Sequence, residues 1–545
     1  IGASGDTVNV VGTLQNNGSA VEVDSVTFKE GGTNFSNSLL VGTDSTGTLS
    51  SADGNTGVGT GVFGALTTGD NNVAVGFNAL DVNTTGGDNT AVGANALCKN
   101  TTAGGNSAFG RCALFDNTTG AANNTFGTES LANNTTGGCN NAFGNAALGQ
   151  NTTGANNVAM GHIALNANTT GADNTAIGVC ALTKNTTASF NTAVGRNSLR
   201  CNTTGASNTA LGYATMYTNT TGACNIAIGE AALGVNTTGS DNTAVGAEAL
   251  TTNTTGCRNT AVGRDALCLN TTGIGNTAIG RLSMRDNTTG TNNTAVGLNS
   301  LLNNETGACN VATGLSALTL NTTGGRNVAV GYQALQSNTT ASFNTALGAQ
   351  SLFTNTTGAN NTAVGLQALY GNTTGAENTA VGCASLVTNT TGPSNTAIGN
   401  KSLVANTTGG SNTALGVCSL CKNTTGDTNV AIGGLALFDN TTAAGNVAVG
   451  YNTLANATTG HSNTAIGKEA LLAMTTGSVN TTIGINAGCN VTDGAGNVLL
   501  GYNAGTDAVA NVVSSNNNIV IGNNFSASAK IKIDWTVTSD LRDKT

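Results

Sequence analysis

A seventeen-residue unit recurs from Asn55 to Gly501, and no other feature constrains the fold of this chain as strongly. Its consensus is N-T-A-V-G-x-x-A-L-x-x-N-T-T-G-x-x. The central glycine falls at Gly59, Gly76, Gly93, Gly110 and onward to Gly501, which makes 27 units. A fixed period of this size means small units stacked on one another, not a globular domain around one core. Numbering from that glycine as zero sorts the repeat into columns. Position −4 is Asn in every unit, −1 is usually Val or Ile, and +3 is usually Ala or Ser. Position +4 is Leu from Leu80 to Leu471, with Met216 and Met284 as the replacements. Positions +1, +5, +6 and +12 vary and carry residues such as Arg111, Lys99, Arg196, Tyr332 and Lys422. Constant columns are expected to face a shared interior and variable ones water. On that expectation Asn89, Val92, Gly93 and Leu97 form one set of structural ladder residues, and Asn191, Val194, Gly195 and Leu199 another.

Within a unit, N-T-A-V-G alternates and predicts a short strand. A-L-x-x predicts a second short strand, with N-T-T-G turning the chain between rungs. Glycine at zero and at +10 permits positive φ or close backbone approach. Nothing has helical length or period, and β-branched Thr and Val disfavour a helix. The sole proline, Pro393, falls at +11 in a turn, where no ladder bond is lost. The predicted fold is all-β: a parallel β-solenoid or β-roll of about 27 rungs, or about 130 Å at ~4.8 Å per rung. Stacked Asn side chains are expected to hydrogen-bond along the array. One Leu and one Val per rung make a thin core. Small Ala and Gly on one strand face are therefore expected to pack against other copies, as a homotrimer.

Composition narrows the function. Among 545 residues there are 77 Gly, 8% charged residues and a net charge of −9. No cluster of Lys and Arg is present to displace counterions, so nucleic-acid binding is not expected. No stretch has the apolar length of a membrane span. The thirteen cysteines are scattered over several columns, with Cys112 and Cys180 at +2, Cys98 and Cys421 at +5, and Cys139 and Cys309 at −5. A disulfide framework would recur at one pairable spacing, so free thiols in a reducing assembly compartment are expected. The chain starts at Ile1 without a signal peptide, which fits a processed start or a fragment.

Candidate chemistry is sparse. The two histidines, His162 at +1 and His461 at −6, occupy variable columns about three hundred residues apart. The glycines form no phosphate loop, and the regular Asp of a calcium-binding roll is missing. No cofactor or metal is expected. N-T-T matches the N-glycosylation acceptor at Asn83, Asn117, Asn321 and most other rungs, but it also suits turn chemistry, the plainer reading. Regular threonine also suits an ice-binding solenoid. The adjacent pair Thr84-Thr85 points both ways across the backbone, however, which weighs against a flat threonine face.

The ends depart from the period. Residues 1–52 are irregular, with Val8–Val11, Val21–Phe28 and Leu39–Val41 predicted as short β-segments of an attachment shoulder. The shaft covers 53–505. Residues 506–529 hold a four-residue insertion and one last rung marked by Asn518 and Gly522. Residues 530–545 begin with the amphipathic Lys530-Ile-Lys-Ile-Asp-Trp535, predicted as a strand. The segment Asp534-Trp-Thr-Val-Thr-Ser-Asp-Leu-Arg-Asp-Lys-Thr545 resembles the opening of the S74 intramolecular chaperone domain of phage tail fibres and tailspikes, through Ser539, Asp540, Arg542, Lys544 and Thr545. That resemblance implies a trimer assembled by a chaperone, with Ser539-Asp540 as a processing site. The repeats, as in Asn361–Gly375, resemble those of phage and giant-virus fibre-like proteins and the heads of trimeric autotransporter adhesins.

These readings lead to a non-enzymatic, homotrimeric virion fibre, a tail or capsid fibre outside the cell, for host attachment or display of an adhesive tip. Its expected partners are its own copies, a host surface receptor or glycan, and other virion proteins at one end, with no membrane insertion. A bacterial trimeric surface adhesin and an ice-binding solenoid are the alternatives.

Overall fold

The computed structural model describes residues 21–23, 26–32, 34–42, 47–506 and 511–523. Val8–Val11, Lys530–Trp535 and the Ser539-Asp540 pair lie outside them. The chain divides into two units, Ile1–Asn292 and Asn293–Thr545. Each unit is a parallel β-solenoid with one turn per seventeen residues, about 28 turns in all, and no helix occurs among the described residues.

In the first unit the strands run from Phe35–Gly42 and Thr56–Gly59 to Thr277–Ile279. Like residues pair in register: Thr90 with Ser107, Ala91 with Ala108, Val92 with Phe109. In the second unit they run from Thr294–Val296 to Ile519–Ile521, again with Ala346 on Ala363 and Leu347 on Val364. Alternation sends −4 and −2 inward, and −3 and −1 outward. The interior of a turn is therefore Asn at −4, Ala at −2, Ala or Ser at +3, Leu at +4 and Asn at +7. Asn89, Ala91, Ala96, Leu97 and Asn100 are all fully buried.

Three sequence expectations change here. The −1 column does not face the interior: Val92 and Val194 are half-exposed, Ile177 is 37% exposed and Phe126 59%. These residues stack in register, but on the outer face, because −1 and the buried −2 must point oppositely. The Ala column expected to pack against other copies is instead enclosed within one chain. A-L-x-x is also not a second strand; it is a run of turns with positive φ at +2 and +4, as at Asn95 (59°) and Leu97 (51°). These left-handed residues turn the chain sharply, which lets seventeen residues close around so narrow a core.

Backbone bonds between turns extend far beyond the strand. Around one turn, Asp88, Thr90, Gly93, Asn95, Leu97, Lys99 and Thr101 all donate their N–H groups to carbonyls of an adjacent turn, at 2.7–3.1 Å. Close stacking explains both glycine columns. At zero, Gly93 has φ 139°, and a Cβ there would lie 2.4 Å from the Gly110 oxygen. At +10 the φ is ordinary, but a Cβ on Gly86 would lie 2.2 Å from the Ala103 oxygen. Four turns nevertheless carry Ala at +10: Ala103, Ala188, Ala341 and Ala443. In typical turns two successive threonines, such as Thr84 and Thr85, donate N–H to the same carbonyl, that of Thr101. In those four turns only the first of the two bonds forms, as from Thr101 to Thr118.

Core volume is conserved where the consensus fails. Near the start, Gly57 at −2 faces the bulkier Phe63 at +4, where Leu is usual. Near the end, Gly488 and Gly505 at +4 are filled from −2 by Leu499. Swaps of this kind keep the interior filled without strain.

The stack begins before residue 52. Phe35–Gly42 already holds the register, with Gly42 on Gly59 and the Ser38 hydroxyl accepting the Asn55 N–H at 2.7 Å. Ser at −4 and Leu at −2 hide this turn from the consensus. On its other side Val26–Gly32 pairs antiparallel, and Val21–Val23 pairs with that strand in turn. This covers an edge that would otherwise offer unpaired backbone groups. At the other end the insertion is absorbed: Asn518 stacks on Asn497 twenty-one residues earlier, with its N–H 2.9 Å from Oδ1.

Candidate functional site

The residues that recur most strictly build a polar spine. The Asn89 side-chain amide donates to Asn72 Oδ1 (3.1 Å) and to the Ala103 carbonyl (2.9 Å), and the Asn89 backbone N–H donates to the same Oδ1 (3.0 Å). From the other side of the turn, the Asn100 amide donates to Asn83 Oδ1 (2.9 Å) and to that same Ala103 carbonyl (3.0 Å). Two asparagine columns, at −4 and +7, thus converge on the +10 carbonyl. Asn191 occupies the same place as Asn89: its N–H donates to Asn174 Oδ1 at 3.0 Å. Leu97 and Leu199 pack beside them fully buried, and Gly93 and Gly195 sit where the strand turns out of the sheet. Each satisfied bond adds about 0.5–1.5 kcal/mol net, whereas a stranded amide costs about 1–3.

This spine settles the N-T-T sequence. Asn117 and Asn321 are fully buried, and their amides donate to Asn100 and Asn304 and to the carbonyls of Gly120 and Gly324. No sugar can be attached to such a nitrogen in the folded chain. The following threonine closes the turn on the next one, as Thr84 does with both its N–H and its hydroxyl on the Thr101 carbonyl.

Titratable groups lie on the outside. His162 and His461 are both exposed; His461 Nδ1 lies 3.2 Å from the Ser462 hydroxyl. All thirteen cysteines are free thiols. Burial pushes the +5 thiols Cys98, Cys268 and Cys489 up, and Cys421 up to about 11, with Cys418 adding to the last. Such thiols are poor nucleophiles at neutral pH. Ligand atoms of Glu248, Asp265 and Cys268 lie within 4.8 Å of one another. Arg264 already pairs with Asp265 at 3.4 Å, so this group reads as a surface charge cluster. Lys99 bridges Asp116 and Lys422 bridges Asp439, each at 2.6 Å, with the ammonium over Phe115 and Phe438 respectively. Exposed pairs of this kind, screened by water, add little to stability.

What the columns alone did not reveal is the outer sheet face. Within each unit it displays −3 and −1 side by side in two in-register rows. From Thr56 to Ile519 the −3 row is Thr, Val or Ile, except at Ser107, Asn124 and Asn141. Over the same turns, and only there, the −1 row is Phe: Phe109, Phe126 and Phe143. These six residues line a shallow depression of about 270 Å³. The sequence signal was present as three successive departures from T-A-V, to S-A-F, N-T-F and N-A-F. Comparison of the chain with protein-family models, with curated proteins and with solved structures finds no match.

Proposed function

We propose that this chain is the shaft of a virion fibre, a tail or capsid fibre, non-enzymatic and mechanical in its work. The observation that carries this reading is the backbone ladder, in which nearly every second residue of a turn bonds to an adjacent turn. Load along such a stack is shared by many parallel bonds, while the interior asparagines hold neighbouring turns in one register. The resemblance of Asp534–Thr545 to the start of an S74 chaperone favours a virus over a bacterial adhesin. The homotrimer rests on that resemblance and on the likeness of the repeats to trimeric adhesin heads, because the alanines expected between copies are used inside one chain. A host-surface receptor or glycan is the partner in this reading.

Negative-stain microscopy with native mass measurement tests it. Stiff rods and a particle of three times 53.4 kDa are expected. Globular particles would sink the fibre, and a monomer mass the trimer. The sequence encoded beyond Thr545 separates the virion fibre from the adhesin: the rest of a chaperone supports the first, a membrane β-barrel the second.

One observation favours the ice-binding reading as well. Threonines at −3, such as Thr175, Thr192 and Thr209, stand in a row on the outer face, beside Ile177, Val194 and Leu211. A row of outward threonines, which Thr84-Thr85 does not supply, supports that reading. Thermal hysteresis of the purified protein tests it; freezing at the equilibrium melting point rules it out.

A further inference from the structure

The geometry points to a saccharide-binding platform on the outer face of the turns carrying Phe109, Phe126 and Phe143, a platform for neutral hexose oligosaccharides. The inference deepens the host-attachment part of the proposed function and rests on it for its biological sense. Three observations carry it.

The first is locality. The outer face is Thr, Val and Ile nearly everywhere, a surface any neighbouring copy would meet along its whole length. Only three successive turns exchange both rows at once, aliphatic for aromatic at −1 and Thr or Val for Ser and Asn at −3. A contact between copies gains nothing from an amide row confined to three turns, whereas a ligand of that length does.

The second is the pairing of chemistries. Residues −3 and −1 lie on one face about 7 Å apart, and successive turns lie about 4.8 Å apart. The Phe109 and Phe126 rings stack with centroids 5.6 Å apart, Phe126 is 59% exposed and Phe143 41%. Beside them Asn124 donates its amide to Asn141 Oδ1 at 3.0 Å, which leaves outward-facing amide donors and acceptors in a row. A pyranose ring has a C–H-rich face and a rim of hydroxyls. One face of Phe126 is taken up by Phe109, and the ring surface that Phe126 and Phe143 leave exposed would accept the polarised C–H groups, with the amides and the Ser107 hydroxyl placed beside it for the rim. A pocket mostly apolar with a few convergent polar groups is the usual form of a small-ligand site.

The third is charge. No charged side chain lines the depression. The nearest strong charges in sequence, Arg111 and Glu129, neutralise each other at 2.7 Å. That selects an uncharged sugar over an acidic one.

The consensus supplies conservative variants, since Val and Thr occupy these positions in neighbouring turns. Saturation-transfer difference NMR on the full chain is the test, with cellohexaose, maltohexaose and mannohexaose as probes. Transfer from phenylalanine ring protons to at least one hexasaccharide is expected. Phe126→Val with Phe143→Val should weaken that binding at least tenfold, and Asn124→Thr with Asn141→Thr severalfold, at unchanged thermal stability. No transfer to any of the three sugars, or undiminished binding by the Phe pair, overturns the site. A drop in native mass of the Phe variant also overturns it, by showing the face to be a contact between copies. Rods without transfer sink the platform alone; transfer on globular particles sinks the fibre alone.

Discussion

Within the second unit, the nine turns from Asn304 to Asn440 differ from the three that follow. In the nine, the +7 column is an unbroken row of buried asparagines whose amides bond turn to turn. In the three, the same column reads Ala457, Met474 and Val491, all buried. The break leaves a mark: Asn440 Oδ1 is buried and finds no donor among the described residues, because Ala457 offers none. Beyond it the −4 row continues, and Asn480 turns its amide to the Met474 sulfur at 3.6 Å as well as to Asn463 and Gly494. The strand register is the same on both sides. The fold therefore tolerates either an amide row or an apolar filler at +7, and the cost falls at the junction.

The strongest way to break the asparagine-row region is charge in the leucine core it shares with the turns beyond. Leu352→Asp with Leu369→Asp would bury two carboxylates in neighbouring turns, costing on the order of 5 kcal/mol or more locally. Hydrogen exchange should show the amides of 345–376 losing protection while distant turns keep theirs. Unchanged protection would refute the interior placement of +4.

A smaller effect should be indifferent to the amide row. Gly365→Ala in the ladder and Gly484→Ala beyond it each force a side chain onto φ 131° and 141°, with the new Cβ 2.6 and 2.4 Å from the next glycine's oxygen. Both should lose about 3 kcal/mol by chemical denaturation. A clear difference between them would mean that the strand side of the turn depends on what fills +7.

The sharpest comparison is within the row. Asn338→Ala removes the donor to Asn321 and the acceptor for Asn355, at about 2–3 kcal/mol. Asn440→Ala removes the donor to Asn423 and to the Ala443 carbonyl but no acceptor in use, and it abolishes an existing orphan, so a smaller loss of about 1 kcal/mol is expected. Equal losses would show that the row does not work as a chain of paired amides.

The smallest effect concerns thiols. Burial pushes Cys421, beside the row, up to about 11, and raises Cys489, beyond it, as well. Both should alkylate more slowly than exposed Cys309 and Cys383. The Cys421 contribution to stability is whole below pH 9, the ordinary thiol value, and is lost as pH rises through about 11, because only the unfolded thiol ionises in that window. Labelling of Cys489 at the rate of Cys383 would mark the apolar end as the looser region.

Much of this architecture was legible in the columns. The period gave the turn, Asn at −4 gave a ladder, and Leu at +4 gave the core. The −1 column misled because constancy was read as burial. Val92 and Ile177 are constrained by stacking on the outside of a sheet, where β-branched residues fit a pleated surface without being enclosed. A-L-x-x reads as a second strand in the sequence, yet Leu97 sits at φ 51°. The turn conformation is imposed by closure of the ring of seventeen residues, and the buried side chain offsets its strain. The saccharide face was visible as three aromatic departures but had no meaning until −3 and −1 were known to share a surface.

Sequence by itself determined the period, the parallel stacking and the identity of the stacked residues, because a repeat places like on like whatever its handedness or cross-section. Tertiary structure alone decided which columns face in. That choice depends on how seventeen residues close into one turn, with left-handed backbone at +2 and +4 and two amide rows meeting on one carbonyl. Closure is a property of the whole ring, and no single column carries it.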